Sequence, residues 1–163
     1  MFDVSGRHPL PEFGQQRHHA CDYGPRTGSP GLSIVIPNRN GVHLLPRCLH
    51  FLAGMASAFD LIIVDNRSDD PALPPLYRGL AERYGARVIP FDRSFNYARM
   101  INIGVAAARH DMLLLLNNDV FISEASCVAT ALAYAARPEV GVAGSLLRYP
   151  DGRVQHAGML LRL

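Results

Sequence analysis

The chain has 163 residues, enough for one domain with a real core, and a formal net charge of +2, too small for the basic field that nucleic acid binding requires. All 16 basic residues are Arg and Lys is absent. That excludes a Walker phosphate loop, a Schiff-base enzyme and a receiver domain with its strand-end Lys.

Residues 1–30 carry Gly, Pro, Arg, His and Gln without periodicity and are expected to form a flexible tail; the His18-His19 pair there, with no further ligands nearby, is expected to be inert. The folded domain is expected over 31–163. A strand is predicted over 33–37, ended by Pro37. Helical spacing of Leu44, Leu45, Cys48, Leu49 and Leu52 predicts a helix over 43–54. The run 61–64 is a second strand, and 73–84 a helix with Leu73, Leu76, Tyr77 and Leu80 on one face. A short strand at 87–90, a helix over 97–109 and a strand over 112–116 follow. Ser123 is the expected N-cap of a helix reaching Ala136, with Pro138 beyond its end. A fifth strand is predicted over 140–147, then a turn at 149–152 and a returning strand over 154–161. This alternation predicts a three-layer α/β/α fold with a mainly parallel sheet and helices on both faces.

The cysteines, Cys21, Cys48 and Cys127, form no C-x-x-C pair, which fits reduced thiols in a cytoplasmic setting; Cys48 and Cys127 read as small core residues. No apolar run reaches the ~18 residues of a membrane span and the N-terminus has no signal-peptide core, so the expected location is the cytoplasm, with peripheral attachment at the inner face of a membrane left open.

Two apolar runs each stop on a carboxylate. Residues 61–64 run into Asp65-Asn66-Arg67-Ser68, and 113–116 run into Asn117-Asn118-Asp119. Ligands of open α/β sheets bind beyond the carboxyl ends of the strands. If both strands point the same way, Asp65 and Asp119 share one rim with the first loop, Pro37-Asn38-Arg39-Asn40-Gly41. Amides, hydroxyls and carboxylates without paired Cys or His favour a hard cation, Mg²⁺ or Mn²⁺, over zinc. The alternative for a strand-end Asp is a turn former or helix cap, and it is the favoured one for Asp69 and Asp70 before Pro71.

Five segments in order resemble the inverting family-two glycosyltransferases of the GT-A fold, nearest to the rhamnosyltransferase-like group: LSIVIPNRN (32–40), IIVDNRSD (62–69), FNYARMINIG (95–104), LLLLNNDV (113–120) and YPDGRVQHAG (149–158). The resemblance implies transfer of a hexose or deoxyhexose from a nucleotide-diphospho-sugar to a polysaccharide or lipid-linked acceptor, as in cell-wall polysaccharide synthesis. It implies that Asp65 hydrogen-bonds the nucleotide base, with Pro37, Asn38, Asn40, Asn66 and Ser68 around the donor. Asn117, Asn118 and Asp119 match the D-x-D-type motif, with Asp119 holding the metal and the two Asn approaching ribose or sugar hydroxyls. Asn96 matches a position that reaches the nucleotide; its alternative is a helix N-cap. Arg67 is either a phosphate contact or a solvated turn residue, and His156 either lines the acceptor side or is a structural strand residue. The general base of an inverting enzyme is expected from a region beyond Leu163, since after Leu147 the only acid is Asp151, in a turn. The chain is thus expected to be a donor-binding half, incomplete alone, whose apolar Met159-Leu160-Leu161 edge self-associates or meets a partner chain. A non-catalytic nucleotide-binding or interaction module of the same fold is the alternative. A dinucleotide-binding Rossmann domain is disfavoured because no G-x-G-x-x-G follows the first strand.

Overall fold

The computed structural model describes residues 11–12, 15–18 and 31–158. Within the segment expected as a tail, β1 (Pro11–Glu12) and β2 (Gln15–His18) pair antiparallel. The rest of that segment, His19 and Cys21 included, lies outside the described residues, as does the Met159-Leu160-Leu161 edge. The chain divides into two compact units, one spanning residues 30–123 and one joining 124–163 with 1–29.

The first unit is built on β3 (Leu32–Asn38) and β4 (Phe59–Asp65), paired in parallel over seven residues from Leu32↔Phe59 to Asn38↔Asp65. Both are near-continuous apolar runs, the pattern of strands covered on both faces. Ile34, Val35 and Ile36, and Leu61 to Val64, are fully buried whichever face they point to. β5 (Arg87–Pro90) lies beyond β4 and β6 (Met112–Leu115) beyond β3, all parallel, giving the order β5-β4-β3-β6. β6 is the outermost strand and leaves Leu113 and Leu115 exposed.

The helix expected over 43–54 is broken into α1 (Leu45–Cys48) and a 3₁₀ turn (His50–Gly54). Pro46 sits in the first turn, where it is tolerated, and the bonds pass from the α-type Leu49 N–H to Leu45 carbonyl to the tighter Leu52 N–H to Leu49 carbonyl, so the α-turn gives way to a 3₁₀ turn at Leu49. The two short pieces still bury Leu45, Cys48, Phe51 and Leu52. α2 (Leu73–Tyr84) has the expected bounds; Gly85 closes it in the left-handed region at φ 65°. α3 (Tyr97–Ala106) packs Met100 and Ile101 against Val35, Ile62 and Val64. It stops three residues before the expected end because the Arg109 and His110 N–H groups go instead to Ser33 Oγ, at 3.1 and 3.0 Å.

Those bonds belong to a lock at the amino ends of the strands. Asp60, 5% exposed and opposite Ser33 in register, accepts from Ser33 Oγ (3.3 Å), Arg87 Nε and Nη2 (3.2 and 2.6 Å) and Arg109 N–H (3.2 Å). Arg87 also bonds the Ala107 carbonyl, so one ion pair ties β3, β4 and β5 to the end of α3.

In the second unit, α4 (Ala125–Ala135) starts two residues after the expected Ser123 cap; Glu124 takes the cap position, its side chain accepting from the Ser126 hydroxyl rather than from a backbone N–H of the helix. The strand expected over 140–147 is not formed. Residues 140–146 are irregular, Val142 is 88% exposed, and Gly141 and Gly144 weaken a segment that finds no neighbouring ladder among the described residues. Among the described residues the parallel sheet therefore has four strands, not five. The terminal hairpin does form: β7 (Leu147–Arg148) pairs antiparallel with β8 (Val154–His156) across a turn in which Gly152 has φ 85°. Asp151 is a turn residue as expected, bonded to the Arg153 backbone and paired with its guanidinium.

Gly104 lies where α3 crosses β3; a Cβ there would stand 2.3 Å from Val35 Cγ1. Overpacking costs about 1–3 kcal/mol, against ~1 kcal/mol of helix propensity gained from Gly to Ala. Gly104→Ala is expected to lower the free energy of urea unfolding despite that gain.

Candidate functional site

The carboxyl ends of β3, β4 and β6 point the same way, as parallel pairing demands, and the three polar loops emerge there together. The geometry of the rim is set by one chain of hydrogen bonds. Asn118 Nδ2 donates to Asn38 Oδ1 at 2.7 Å. Asn38 Nδ2 donates to the Tyr77 hydroxyl at 2.8 Å, and Tyr77 donates to Asp65 Oδ1 at 2.6 Å. Ser68 adds its hydroxyl to the same oxygen at 2.5 Å and its N–H to Oδ2 at 3.1 Å. Thus Asn38, Asp65, Ser68 and Asn118, all expected at the site, are joined in one hydrogen-bonded chain, with Tyr77 as the link between Asn38 and Asp65.

Asn40 clasps the second loop to the first. Its amide donates to Asp69 Oδ1 at 2.6 Å, its Oδ1 accepts the Asp69 and Asp70 N–H groups, and its own N–H meets Ser68 Oγ at 2.9 Å. It holds φ 50°, a region Asn tolerates. Asp70 caps its loop by accepting the Ala72 N–H, the turn role expected of it. Arg67, also left-handed at φ 53° and exposed, donates to the Asp92 carbonyl and serves its turn.

Other expected residues are engaged differently. Pro37 is buried inside β3, opposite Val64. Asn66 is 1% exposed and spends both amide protons on the Phe91 and Arg93 carbonyls, at 3.0 and 2.8 Å, which pins the loop after β5. Asn96 is the N-cap of α3, accepting the Arg99 N–H at 3.0 Å. His156 lies on β8, exposed.

Two residues at the rim went unread in the sequence. Tyr77 belongs to the buried stripe of α2, where a tyrosine hydroxyl requires a partner, and that requirement was the available signal. Gly41 carries no such sign. A Cβ on it would stand 2.3 Å from Asn38 Oδ1 and 2.7 Å from Asn118 Nδ2, so the bare backbone is what lets the two amides meet.

A cleft of about 360 Å³ opens beside Asp65 and Ser68, walled by Pro71, Pro74, Val88 and Pro90, with Tyr77 at its side. Asp119 and Asn117 are exposed at the third loop. Beneath them Cys48 donates its thiol proton to the Asn117 carbonyl at 3.4 Å. Burial, and secondarily the Asp119 charge, push that thiol from 9.0 up to about 12, so it is no thiolate ligand. Among the described residues no three His, Cys, Asp or Glu side chains gather around a common point. A single exposed carboxylate with amide neighbours does not make a resident metal cage. It does fit a hard cation that arrives with phosphate oxygens supplying most of its ligands.

Residues 33–160 match the profile of Glycosyl transferase family 2. The chain belongs to that family. The protein y4gI of Sinorhizobium fredii (strain NBRC 101917 / NGR234) is 36% identical over 144 residues, which cover 85% of this chain and 16% of y4gI. The O-antigen biosynthesis protein RfbC of Myxococcus xanthus is 32% identical over 141 residues, 84% of this chain and 11% of RfbC. The chain thus spans less than a fifth of either relative. Among solved structures, the mannosyltransferase PcManGT from Pyrobaculum calidifontis, in complex with GDP-Man and Mn²⁺, shares the fold with a TM-score of 0.65 at 20% identity, over 77% of this chain and 37% of its own. The family-two domain therefore has the GT-A fold expected from its sequence. No helix among the described residues is long and apolar enough to cross a membrane.

Burial raises the Tyr77 hydroxyl well above the usual tyrosine range, with the Asp65 bond adding to it. Both Cys48 and Tyr77 thus hold their protons more tightly folded than unfolded. Between the unfolded and folded values the native state binds more protons, so stability falls as pH rises. Unfolding in urea is expected to show a steady loss of stability as pH climbs through 9, the midpoint of the free thiol, towards 12. Tyr77→Phe should flatten the part of that slope above pH 10.

Proposed function

We propose that this domain is the donor-binding part of an inverting glycosyltransferase, rhamnosyltransferase-like, that takes a sugar from a nucleoside diphosphate and passes it to a polysaccharide or lipid-linked acceptor at the cell envelope. The observation that carries the reading is the hydrogen-bonded convergence of three strand-end loops, with a cleft open beside Asp65. Family membership, the O-antigen assignment of RfbC and the GDP-Man and Mn²⁺ bound to PcManGT support it.

In this reading the base enters the cleft between Pro71, Pro74 and Val88 and donates to Asp65, whose orientation Tyr77 and Ser68 fix in advance. The diphosphate extends towards the third loop. Asp119 would hold Mn²⁺ or Mg²⁺, which when bound neutralises charge developing on the departing diphosphate. Asn38 and Asn118, tied to each other and through Tyr77 to Asp65, keep the base end and the metal end in fixed relation.

Calorimetric titration with UDP, GDP and dTDP, each with and without Mn²⁺, tests this. Asp65→Ala is expected to weaken binding in both conditions by about 1–3 kcal/mol, the scale of a lost hydrogen bond to a charged group. Asp119→Ala should abolish the Mn²⁺ enhancement and leave thermal stability unchanged. Absence of heat and of any melting shift with all three nucleotides would refute donor binding. Hydrolysis of a nucleotide sugar in Mn²⁺ separates a catalytic domain from a binding module of the same fold.

A further inference from the structure

The identity of the base follows from how many hydrogen bonds Asp65 has left to give. A carboxylate accepts at about four lone-pair positions, two on each oxygen. Oδ1 already takes the Tyr77 and Ser68 hydroxyls, at 2.6 and 2.5 Å. Oδ2 takes one backbone donor, the Ser68 N–H at 3.1 Å. One oxygen is filled and the other keeps a single position.

The proton directions are forced. Asp65 as a carboxylate only accepts, so the Tyr77 proton points to it and the Tyr77 oxygen accepts from Asn38. Asn38 must then turn its Oδ1 to the Asn118 amide. Ser68 Oγ accepts the Asn40 N–H at 2.9 Å, so its proton also goes to Asp65. Neither hydroxyl can leave Oδ1 without stranding a partner, and the high proton affinity that burial gives Tyr77 keeps it a donor throughout the neutral range.

A uracil or thymine ring offers one N–H between two carbonyls, which a single acceptor position satisfies. Guanine offers two adjacent donors, N1–H and N2–H, which call for both oxygens of a carboxylate. We propose that this site selects uridine or thymidine diphosphates over guanosine diphosphate, and that Tyr77 is the positioning residue that enforces the choice by occupying Asp65 Oδ1. The inference rests on the reading that Asp65 meets the base. The apolar walls of Pro71, Pro74 and Val88 suit the face of a flat ring.

The test is titration of the whole chain with UDP, dTDP and GDP in Mn²⁺, for the wild type, Tyr77→Phe, Ser68→Ala and Asp65→Asn. In the wild type UDP and dTDP are expected to bind about tenfold or more tighter than GDP, the scale of one well-matched donor–acceptor pair. Tyr77→Phe and Ser68→Ala each free a position on Oδ1 and should each narrow that ratio several-fold, whereas a merely structural loss weakens all three nucleotides alike and leaves the ratio unmoved. Ser68→Ala carries the test if Tyr77→Phe does not fold. Wild-type GDP affinity equal to or above that of UDP, with Asp65→Asn weakening both, overturns the selectivity and leaves the base site standing. A ratio unchanged in both hydroxyl variants overturns the role of Tyr77. UDP affinity indifferent to Asp65→Asn overturns the base site and the selectivity together.

Discussion

The register of β3 against β4 governs everything at the rim. Asn38 stands opposite Asp65 because Leu32 stands opposite Phe59, with the five pairs between them in step. Side chains alternate across a strand, so a slip of one residue would turn Asn38 to the other face and break its bond to Tyr77. The apolar runs that fix the register are buried on both faces, and the Asn66 N–H closes the ladder on the Asn38 carbonyl at 2.8 Å. The placement of the polar rim is here a by-product of how two hydrophobic strands settle against each other.

The two strand-end acids sit in opposite surroundings. Asp65 is half-buried and held by three protein donors, so its position is fixed before any ligand arrives. Asp119 is exposed, and the protonated Cys48 beneath it braces the Asn117 carbonyl rather than competing for a cation. The first suits geometric selection. The second suits a charge that is completed by what the ligand brings.

Much of this was legible in the residues. The bounds of α2 and β5 were readable because a left-handed Gly85 and the flanking prolines punctuate them. The strand-end acids were readable because an apolar run that stops on a carboxylate marks a sheet edge. The segment 140–147 misled because alternating apolar residues report a face, not the existence of a ladder partner. The helix over 43–54 misled because helical spacing of apolar residues does not tell one continuous α-helix from a short α-turn followed by a 3₁₀ turn. At the site, the Asn38 and Asp65 contacts of Tyr77 lie 39 and 12 residues away along the chain, and no local pattern encodes them. Gly41 is harder still, since its contribution is the absence of atoms.

The lock of Asp60, Ser33 and Arg87 sits at the amino ends of the same strands whose carboxyl ends carry the loops. The sheet is therefore polarised: one end fastens the chain and the other carries the polar loops, with only apolar side chains between. Such a division lets the loop residues change without loosening the ion pair that holds the strands together. A scaffold built this way can diversify in specificity while its stability is inherited from the far end.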